Sequence, residues 1–358
     1  MPQWSHVLGA PEVTGTIRSY PEDFEVEEIG RVAPSGQGGH LWLWVEKRSA
    51  NTEWVARELA SLAACALRDV GYAGLKDRHA VTRQWFSVPF GEALPLDLSA
   101  PDSADFRILN QIRHSRKLKR GALKGNRFKL TIRELDGDTS GLEKRLDSVK
   151  NEGVPNYFGP QRFGHGGRNV QQGFELLSKR ARLSKNKRSI YLSAIRSYLF
   201  NQVLAERVRL GNWNRIIGGE LAMLDGTQSV FLCEKPDSEI EERCLRHDIH
   251  PSGPMPGEGG TQPAGSALEL ERRVLQSWPD LTALLATRRL QASRRSLRLL
   301  PADMSWKWHE QQLQLSFTLP PGAYATTVLR ELLVAAEPAH AGAATQGVNG
   351  TGLPGQEN

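Results

Sequence analysis

The segment "NRFKLTIREL", Asn126 to Leu135, constrains the fold more than any other part of this chain. Its apolar side chains alternate with polar ones, so that Phe128, Leu130 and Ile132 lie on one side of an extended backbone and the polar residues, mostly Lys and Arg, on the other. A repeat of two residues predicts a β-strand with one face in a core and the other face open. The chain must therefore build a sheet that is covered on at least one side, and the open face of this strand is cationic.

Other segments predict helices packed with further strands. "GGHLWLWVEK" is apolar on both alternations, which predicts a strand covered on both faces, and Asn51 or Thr52 then begins a helix. "YLSAIRSYLFNQVLAERV" carries an apolar stripe at helical spacing, and "LQLSFTL" predicts a late strand followed by a "PPG" turn and a helix. Because strands and helices do not alternate regularly, the order predicts an α+β fold.

Length and composition further limit the number of domains and the class of protein. At 358 residues, with 24% charged and 39% hydrophobic residues, the chain has the profile of a globular protein with two domains. The three cysteines, Cys65, Cys233 and Cys244, have no CxxC spacing, which argues against a disulfide framework and a zinc ribbon.

The first ten residues lack the features of a signal peptide, and no apolar run approaches membrane-spanning length, so we expect a cytoplasmic protein without membrane contact. The Gly- and Ala-rich segment 337–358 is expected to be disordered.

The basic residues are unevenly distributed. The net charge is only +6, yet three runs contain Lys and Arg without any acid, namely Gln111–Arg133 with nine, Ser178–Ser189 with six and Thr287–Arg298 with five. Each run alone can be no more than a solvated face. Three such runs together favour a nucleic acid as the partner.

The chain lacks the sequence motifs of several common catalytic chemistries. "HEQQL", His309 to Leu313, begins like a zinc-protease signature but has Leu where the second histidine must stand. No GxxxxGK[ST] loop and no GxSxG elbow is present, and the histidines show no ligand spacing. We therefore expect no metal and no nucleotide cofactor.

The stretch "GYAGLKDRHAVTRQWFSV" places Asp77 among Lys76, Arg78 and His79. An aspartate beside cations is most often a surface ion pair of small energetic value. Here the preceding glycines predict a loop and "TRQWFSV" a strand that anchors it. In an extended segment Lys76 and Arg78 point away from Asp77, so its charge partner can come from elsewhere in the fold. An ionised carboxylate without a metal suits nucleophilic attack on a sugar carbon, or removal of a proton from a sugar.

The segment "AGLKDRHAVTRQWFSV" resembles the signature of the tRNA pseudouridine synthase D (TruD) family. Further segments resemble blocks of the same family in the same order, and they cover the chain from about Thr16 to Leu332. These are "SYPEDFEVEEI", "LKGNRFKLTIR", "GVPNYFGPQRFG", "LSAIRSYLFNQVL", "HPSGPMPG" and "LPPGAYATTVLREL".

The resemblance implies both a fold and a reaction. It implies a pseudouridine-synthase-type catalytic domain with a mixed, largely antiparallel sheet, formed by residues 1–151 and 299–336, and an inserted α/β domain, residues 152–298. The implied reaction isomerises a uridine of tRNA, position 13 in the bacterial enzymes, to pseudouridine without a cofactor. We expect tRNA as the partner and a monomer.

The resemblance also implies roles for four residues. Asp77 takes the catalytic role, and Phe24, Asn126 and Tyr324 match positions that contact the substrate. Each of the last three has a plainer alternative, which is a core phenylalanine, an ordinary turn residue after Gly125 and a core tyrosine, respectively. Tyr324 stands where the family often has Phe, and whether its hydroxyl has a partner is open. A second hypothesis, an RNA-binding protein that has lost the chemistry, predicts that Asp77 forms only a surface ion pair.

Overall fold

The computed structural model describes residues 3–91, 105–179 and 181–338. The predicted disordered tail lies outside the described residues from position 339 onward. The strands are β1 Thr14–Thr16, β2 Phe24–Gly30, β3 His40–Arg48, β4 Gly71–Tyr72, β5 Val81–Pro89, β6 Phe106–His114, β7 Leu123–Asp136, β8 Val154–Pro155, β9 Glu220–Leu224, β10 Val230–Cys233, β11 Ile249–His250, β12 Ser252–Met255, β13 Ser293–Ser296, β14 Arg298–Leu299, β15 Ala302–His309, β16 Gln312–Leu319 and β17 Val334–Ala336. The α-helices are α1 Thr52–Leu62, α2 Leu142–Glu152, α3 Pro160–Phe163, α4 Arg168–Ser178, α5 Lys185–Arg209, α6 Ser238–Leu245, α7 Gly265–Leu275, α8 Pro279–Ala286 and α9 Ala325–Leu332.

One sheet of ten strands organises the molecule. Its central order is β15-β16-β7-β2-β5-β3-β6, with β1 and β17 joined at β7 and β4 joined at β5. Among the described strands of this sheet, only the pairs β2–β5 and β1–β17 are parallel. A mixed, largely antiparallel sheet with helices packed on it confirms the predicted α+β class.

The predicted alternation of β7 separates the two faces of this sheet. Phe128, Leu130 and Ile132 are buried in a core that also contains α2, α9 and the inward residues of β16. The other face does carry cations, as the pattern predicts, but they are neutralised by acids of β2 and the turn before it. Lys129 Nζ lies 3.4 Å from Glu25, and Arg133 lies 2.8 Å from Asp23. This part of the basic run is therefore not an uncompensated cationic surface.

The elements between β8 and β14 lie outside the large sheet. They include α3 to α8 and two small sheets, β10-β9-β11 and β12-β13. The long helix α5, predicted from its apolar stripe, forms the centre of a second core. The chain enters and leaves this second lobe through the short antiparallel pair β8–β14, where Val154 is opposite Leu299.

The junction of β7 with β16 depends on a close backbone approach at Gly125. A Cβ atom at that position would lie 2.5 Å from the carbonyl oxygen of Leu319. We expect Gly125→Ala to lower the free energy of unfolding by about 1–3 kcal/mol, since the two strands must separate locally. Gly39→Ala is the control, because its Cβ would meet nothing within 4 Å. Equal unfolding free energies of the two variants in urea titrations would contradict this account of the junction.

Candidate active site

Asp77 lies in the loop of residues 73–80 between β4 and β5, as the glycines predict. Its side chain is 35% exposed, and Oδ2 lies 2.5 Å from Nη2 of Arg18, which is 59 residues away in the sequence. The other oxygen, Oδ1, accepts a hydrogen bond from the backbone N–H of His79 at 3.1 Å. The charge partner of Asp77 therefore comes from a distant segment, and the carboxylate is oriented at both oxygens while it remains accessible.

Arg18 is held in place by its own contacts. Its guanidinium carbon lies 4.0 Å from the centre of the Phe24 ring, and its second terminal nitrogen forms an ion pair with Glu337. Phe24 itself is buried and packs edge-on against Phe128. Phe24 is thus a core residue whose ring also supports the cation that binds Asp77. The sequence interpretation missed Arg18, because a contact across 59 residues leaves no local pattern.

A buried lysine fixes the backbone of the loop from below. Lys47 is fully buried, and its Nζ donates to the carbonyl oxygens of Asp77 at 2.6 Å and of Ala50 at 2.7 Å. Burial lowers the pKa of Lys47 to about 8, although the nearby charge of Asp77 acts in the opposite direction. A signal for this residue was present in the sequence, since the alternation of β3 puts Lys47 on the same side as the core residue Val45.

An ion pair and two hydrogen bonds complete the support of the loop. Lys76 Nζ lies 2.7 Å from Glu28 of β2, and both side chains are almost entirely buried. The backbone N–H of Lys76 donates to Thr52 Oγ1 at 3.0 Å, and Gln84 Nε2 donates to the carbonyl of Gly74 at 3.1 Å. Strand pairing aligns Lys47, Gln84 and Glu28 on one face of the sheet, so buried polar groups form a band beneath the loop.

Asn126 extends this polar band. It belongs to β7, opposite Glu28 on one side and Leu319 on the other, so the alternative of an ordinary turn residue is wrong. Its Oδ1 atom is buried and has no hydrogen-bond partner among the residues that the structure describes. A buried acceptor without a donor is energetically costly.

Tyr324 lies at the start of α9, five residues after the Leu319 that pairs with Asn126. Its hydroxyl does have a partner, since it accepts a hydrogen bond from Nη2 of Arg162 at 3.0 Å. Within the described ranges, no hydrogen bond, ion pair or ring contact joins Tyr324 to Asp77. Arg18 therefore contacts both Asp77 and Phe24. Asn126 lies in β7, and Tyr324 follows β16, the strand that pairs with β7.

In the described ranges, no group of three His, Cys, Asp or Glu side chains is arranged to hold a metal ion. Cys65, Cys233 and Cys244 are free thiols. No helix in the part of the chain that the structure describes has both the length and the apolar character needed to cross a bilayer.

The buried pair Lys76–Glu28 generates a prediction about stability. Glu28→Gln leaves the buried ammonium of Lys76 without a counter-charge, so the free energy of unfolding should fall by about 3 kcal/mol. The control is Glu22→Gln, which breaks an ion pair with Arg48 in which both side chains are about half exposed. That change should cost less than about 1 kcal/mol. Chemical denaturation of both variants makes the comparison, and similar losses would show that the Lys76–Glu28 pair does not support the loop.

The lowered pKa of Lys47 generates a prediction about pH. The unfolded chain holds this proton up to about the ordinary value of 10.5, whereas the folded protein releases it near 8. Between these values the unfolded state binds more protons, so the free energy of unfolding should rise with pH, by about 2–3 kcal/mol from this group. Lys47→Met should lack that rise. Parallel slopes for the two proteins between pH 8 and 10.5 would refute the assignment.

Comparison with known proteins identifies the family. A sequence model described as "tRNA pseudouridine synthase D (TruD)" matches residues 4–180 and 169–332. Proteins named tRNA pseudouridine synthase D from Methylococcus capsulatus and Nitrosococcus oceani are 49% and 47% identical to this chain. The alignments cover 90% of this chain in both cases, and 92% and 91% of the two relatives.

A solved structure supports the same assignment at the level of the fold. The crystal structure of a putative tRNA pseudouridine synthase D from Methanosarcina mazei superposes with a TM-score of 0.69 at 20% identity. The superposition covers 92% of this chain and 95% of the other. These matches confirm the resemblance found in the sequence, and the chain belongs to the tRNA pseudouridine synthase D (TruD) family.

Proposed function

We propose that this protein isomerises a uridine of tRNA, at position 13, to pseudouridine, and that Asp77 supplies the reacting carboxylate. The observation that carries the proposal is the arrangement of Asp77 itself. Its carboxylate is accessible, it is paired with Arg18 at 2.5 Å, and its loop is fixed from below by the buried Lys47 and Lys76. A surface ion pair needs no such support.

The reaction requires no external oxidant, reductant or activated group. The bond between ribose C1′ and uracil N1 breaks, the base rotates, and C1′ bonds to C5. The proton on C5 is lost and N1 gains one, so atoms and electrons balance within the substrate. Asp77 can attack C1′ as a nucleophile or take a proton from the ribose as a base, and both roles require an ionised oxygen. Arg18 contacts one of the Asp77 oxygens and orients it.

The other residues can hold the base once it has left its stack. The side-chain amide of Asn126 offers an acceptor and a donor side by side, which matches the N3–H and a carbonyl of uracil. Its unpaired Oδ1 supports this role. The flat ring of Tyr324 suits stacking of a flipped base. Phe24 contributes through Arg18, because the guanidinium covers one face of its ring.

The basic residues that are left without acidic partners support an RNA substrate. A cavity of about 630 Å³ lies against α1 and the segment before β7, and five cations line it, namely Arg57, Arg68, Lys117, Lys119 and Arg120. Among the described residues, no ion pair joins these five to a carboxylate. Such a surface suits the phosphate backbone, and cations that contact it make binding sensitive to salt.

The short pair β8–β14 supports the domain arrangement implied by the family. The strands of the large sheet come from residues before 152 and after 298, and the Asp77 loop lies on that sheet. We therefore assign catalysis to residues 1–151 and 299–336, and we assign to residues 152–298 the role of an inserted domain that contacts the tRNA.

The decisive variant is Asp77→Asn, which removes the charge and nearly preserves the shape of the side chain. With purified protein and an unmodified tRNA transcript, pseudouridine formation should fall to background while tRNA affinity persists or increases slightly, since the anion is gone. Asp77→Glu should fail as well, because one methylene displaces the oxygens by about 1 Å.

The matched control is Asp248→Asn, which breaks an exposed contact with Arg246 in the second lobe. It should leave turnover unchanged. Near-normal turnover by Asp77→Asn would end the proposal and favour the alternative of an RNA-binding protein without catalysis. Pseudouridine at a position other than 13 would revise the target and leave the role of Asp77 intact.

A further inference from the structure

Two arginines of the second lobe meet at one aromatic ring beside Tyr324. The guanidinium carbon of Arg295, in β13, lies 4.1 Å from the centre of the Phe158 ring, and that of Arg162, in α3, lies 5.4 Å from it. Arg162 donates to the Tyr324 hydroxyl at 3.0 Å, and Arg295 donates to the carbonyl of Gly322 at 3.3 Å. Two like charges therefore share one small site next to a residue assigned to the substrate.

No carboxylate neutralises this pair in the described part of the chain. The other hydrogen bonds of the two side chains go to neutral groups, Ser193 for Arg162 and Asn156 for Arg295. Burial lowers the pKa of Arg295 to about 10, and the charge of Arg162 acts in the same direction. Elsewhere in the same lobe the buried Arg207 has a carboxylate within 2.8 Å. Adjacent cations without a counter-charge are unfavourable unless an anion joins them.

Both guanidinium groups also keep unused donors. Each group carries five N–H donors, yet the two hydrogen bonds of Arg295 both use Nη2. Its Nη1 lies near the Pro321–Gly322 turn, 3.9 Å from where a Cβ on Gly322 would stand. The Nε atoms of Arg162 and Arg295 are buried and have no partner among the described residues. Both side chains remain partly exposed, so an anion can reach them.

We infer that Arg162 and Arg295 form a binding site for a phosphodiester group of the RNA strand that carries the target uridine. The inference rests on the proposed function. Paired guanidinium groups match the oxygens of a phosphate in charge and in hydrogen-bond geometry. The end of β16 connects this site to the polar band, because Leu319 pairs with Asn126 and the turn that follows it leads to Tyr324. Because Arg162 donates to the Tyr324 hydroxyl, a nucleotide whose base stacks on Tyr324 would have its backbone within reach of the two arginines.

The test measures tRNA affinity as a function of salt in the Asp77→Asn protein, which leaves the RNA unmodified. Adding Arg162→Gln and Arg295→Gln together should weaken binding about tenfold at about 0.1 M salt. The slope of log affinity against log salt should become shallower by about 0.7–1, since one phosphate contact is lost. Replacing both arginines by Lys should keep most of the slope, because the charge remains.

The matched control is Arg243→Gln in the same Asp77→Asn protein. Arg243 also lies over an aromatic ring, that of Phe231 at 5.7 Å, but it belongs to the acidic helix α6. This change should alter neither affinity nor slope. An unchanged slope in the double Gln variant, or an equal change in the Arg243 control, would overturn the inference. A melting temperature close to that of the parent protein shows that the double variant is folded.

Two further outcomes separate the possible explanations. Inorganic phosphate at constant ionic strength can raise the melting temperature of the parent protein but not of the double Gln variant. If it does so while tRNA binding is identical in both, the site takes a free anion and the RNA assignment is wrong. Turnover by Asp77→Asn would instead refute the proposed function, and it is measured without changing either arginine. The two failures are therefore distinguishable.

Discussion

The requirement that buried polar groups find partners determines the shape of the Asp77 loop. Lys47, Glu28 and Gln84 lie on the inward face of the sheet, where an unpaired charge or amide would cost several kcal/mol. The partners for these groups are found largely in the loop itself. Lys47 binds the carbonyl of Asp77, Glu28 binds the side chain of Lys76, and Gln84 binds the carbonyl of Gly74. The loop cannot move without leaving these groups unsatisfied, and Asp77 is therefore held in one place.

This band of polar residues separates two apolar regions of the same sheet face. On one side lies the core of β7, β16 and α9, and on the other lies the core of β3, β5 and α1. Asp77, which we propose as the reacting carboxylate, is thus supported by rigid strands and not by the loop alone. Such support suits a site that must position a substrate to within a fraction of an ångström. Arg18 and Phe24 connect the carboxylate to the edge of the core formed by β7, β16 and α9.

Periodicity was sufficient to predict much of the fold. The strands β3, β7 and β16 and the helices α1, α5 and α9 follow from alternating or helical apolar patterns, and the glycines predicted the loop around Asp77. The partner of Asp77 could not be predicted, because Arg18 meets it across 59 residues. Charge runs were informative only in part. Arg127, Lys129 and Arg133 belong to an acid-free run, yet strand pairing puts acids of the N-terminal segment beside them.

The basic residues that have no acidic partner are therefore more informative about a binding partner than the net charge of the chain. Arg162 and Arg295 illustrate the difference, because Arg162 lies outside every basic run and Arg295 is one of five arginines in the third. In the same run Arg294 is paired with Glu271, and Arg298 is buried against backbone carbonyls. Only the three-dimensional arrangement distinguishes an arginine that is paired inside the lobe from one that has no acidic partner.

A crystal structure of the Asp77→Asn protein bound to an unmodified tRNA would show whether Asp77 faces the reacting ribose. We predict that the target uridine leaves its stack. Its ribose C1′ or C2′ should lie about 3–3.5 Å from the side chain at position 77, the separation of groups about to react. The amide of Asn126 should contact the edge of the base. A uridine bound elsewhere, such as in the cavity against α1, with position 77 contacting only Arg18, would show that this carboxylate does not carry out the reaction.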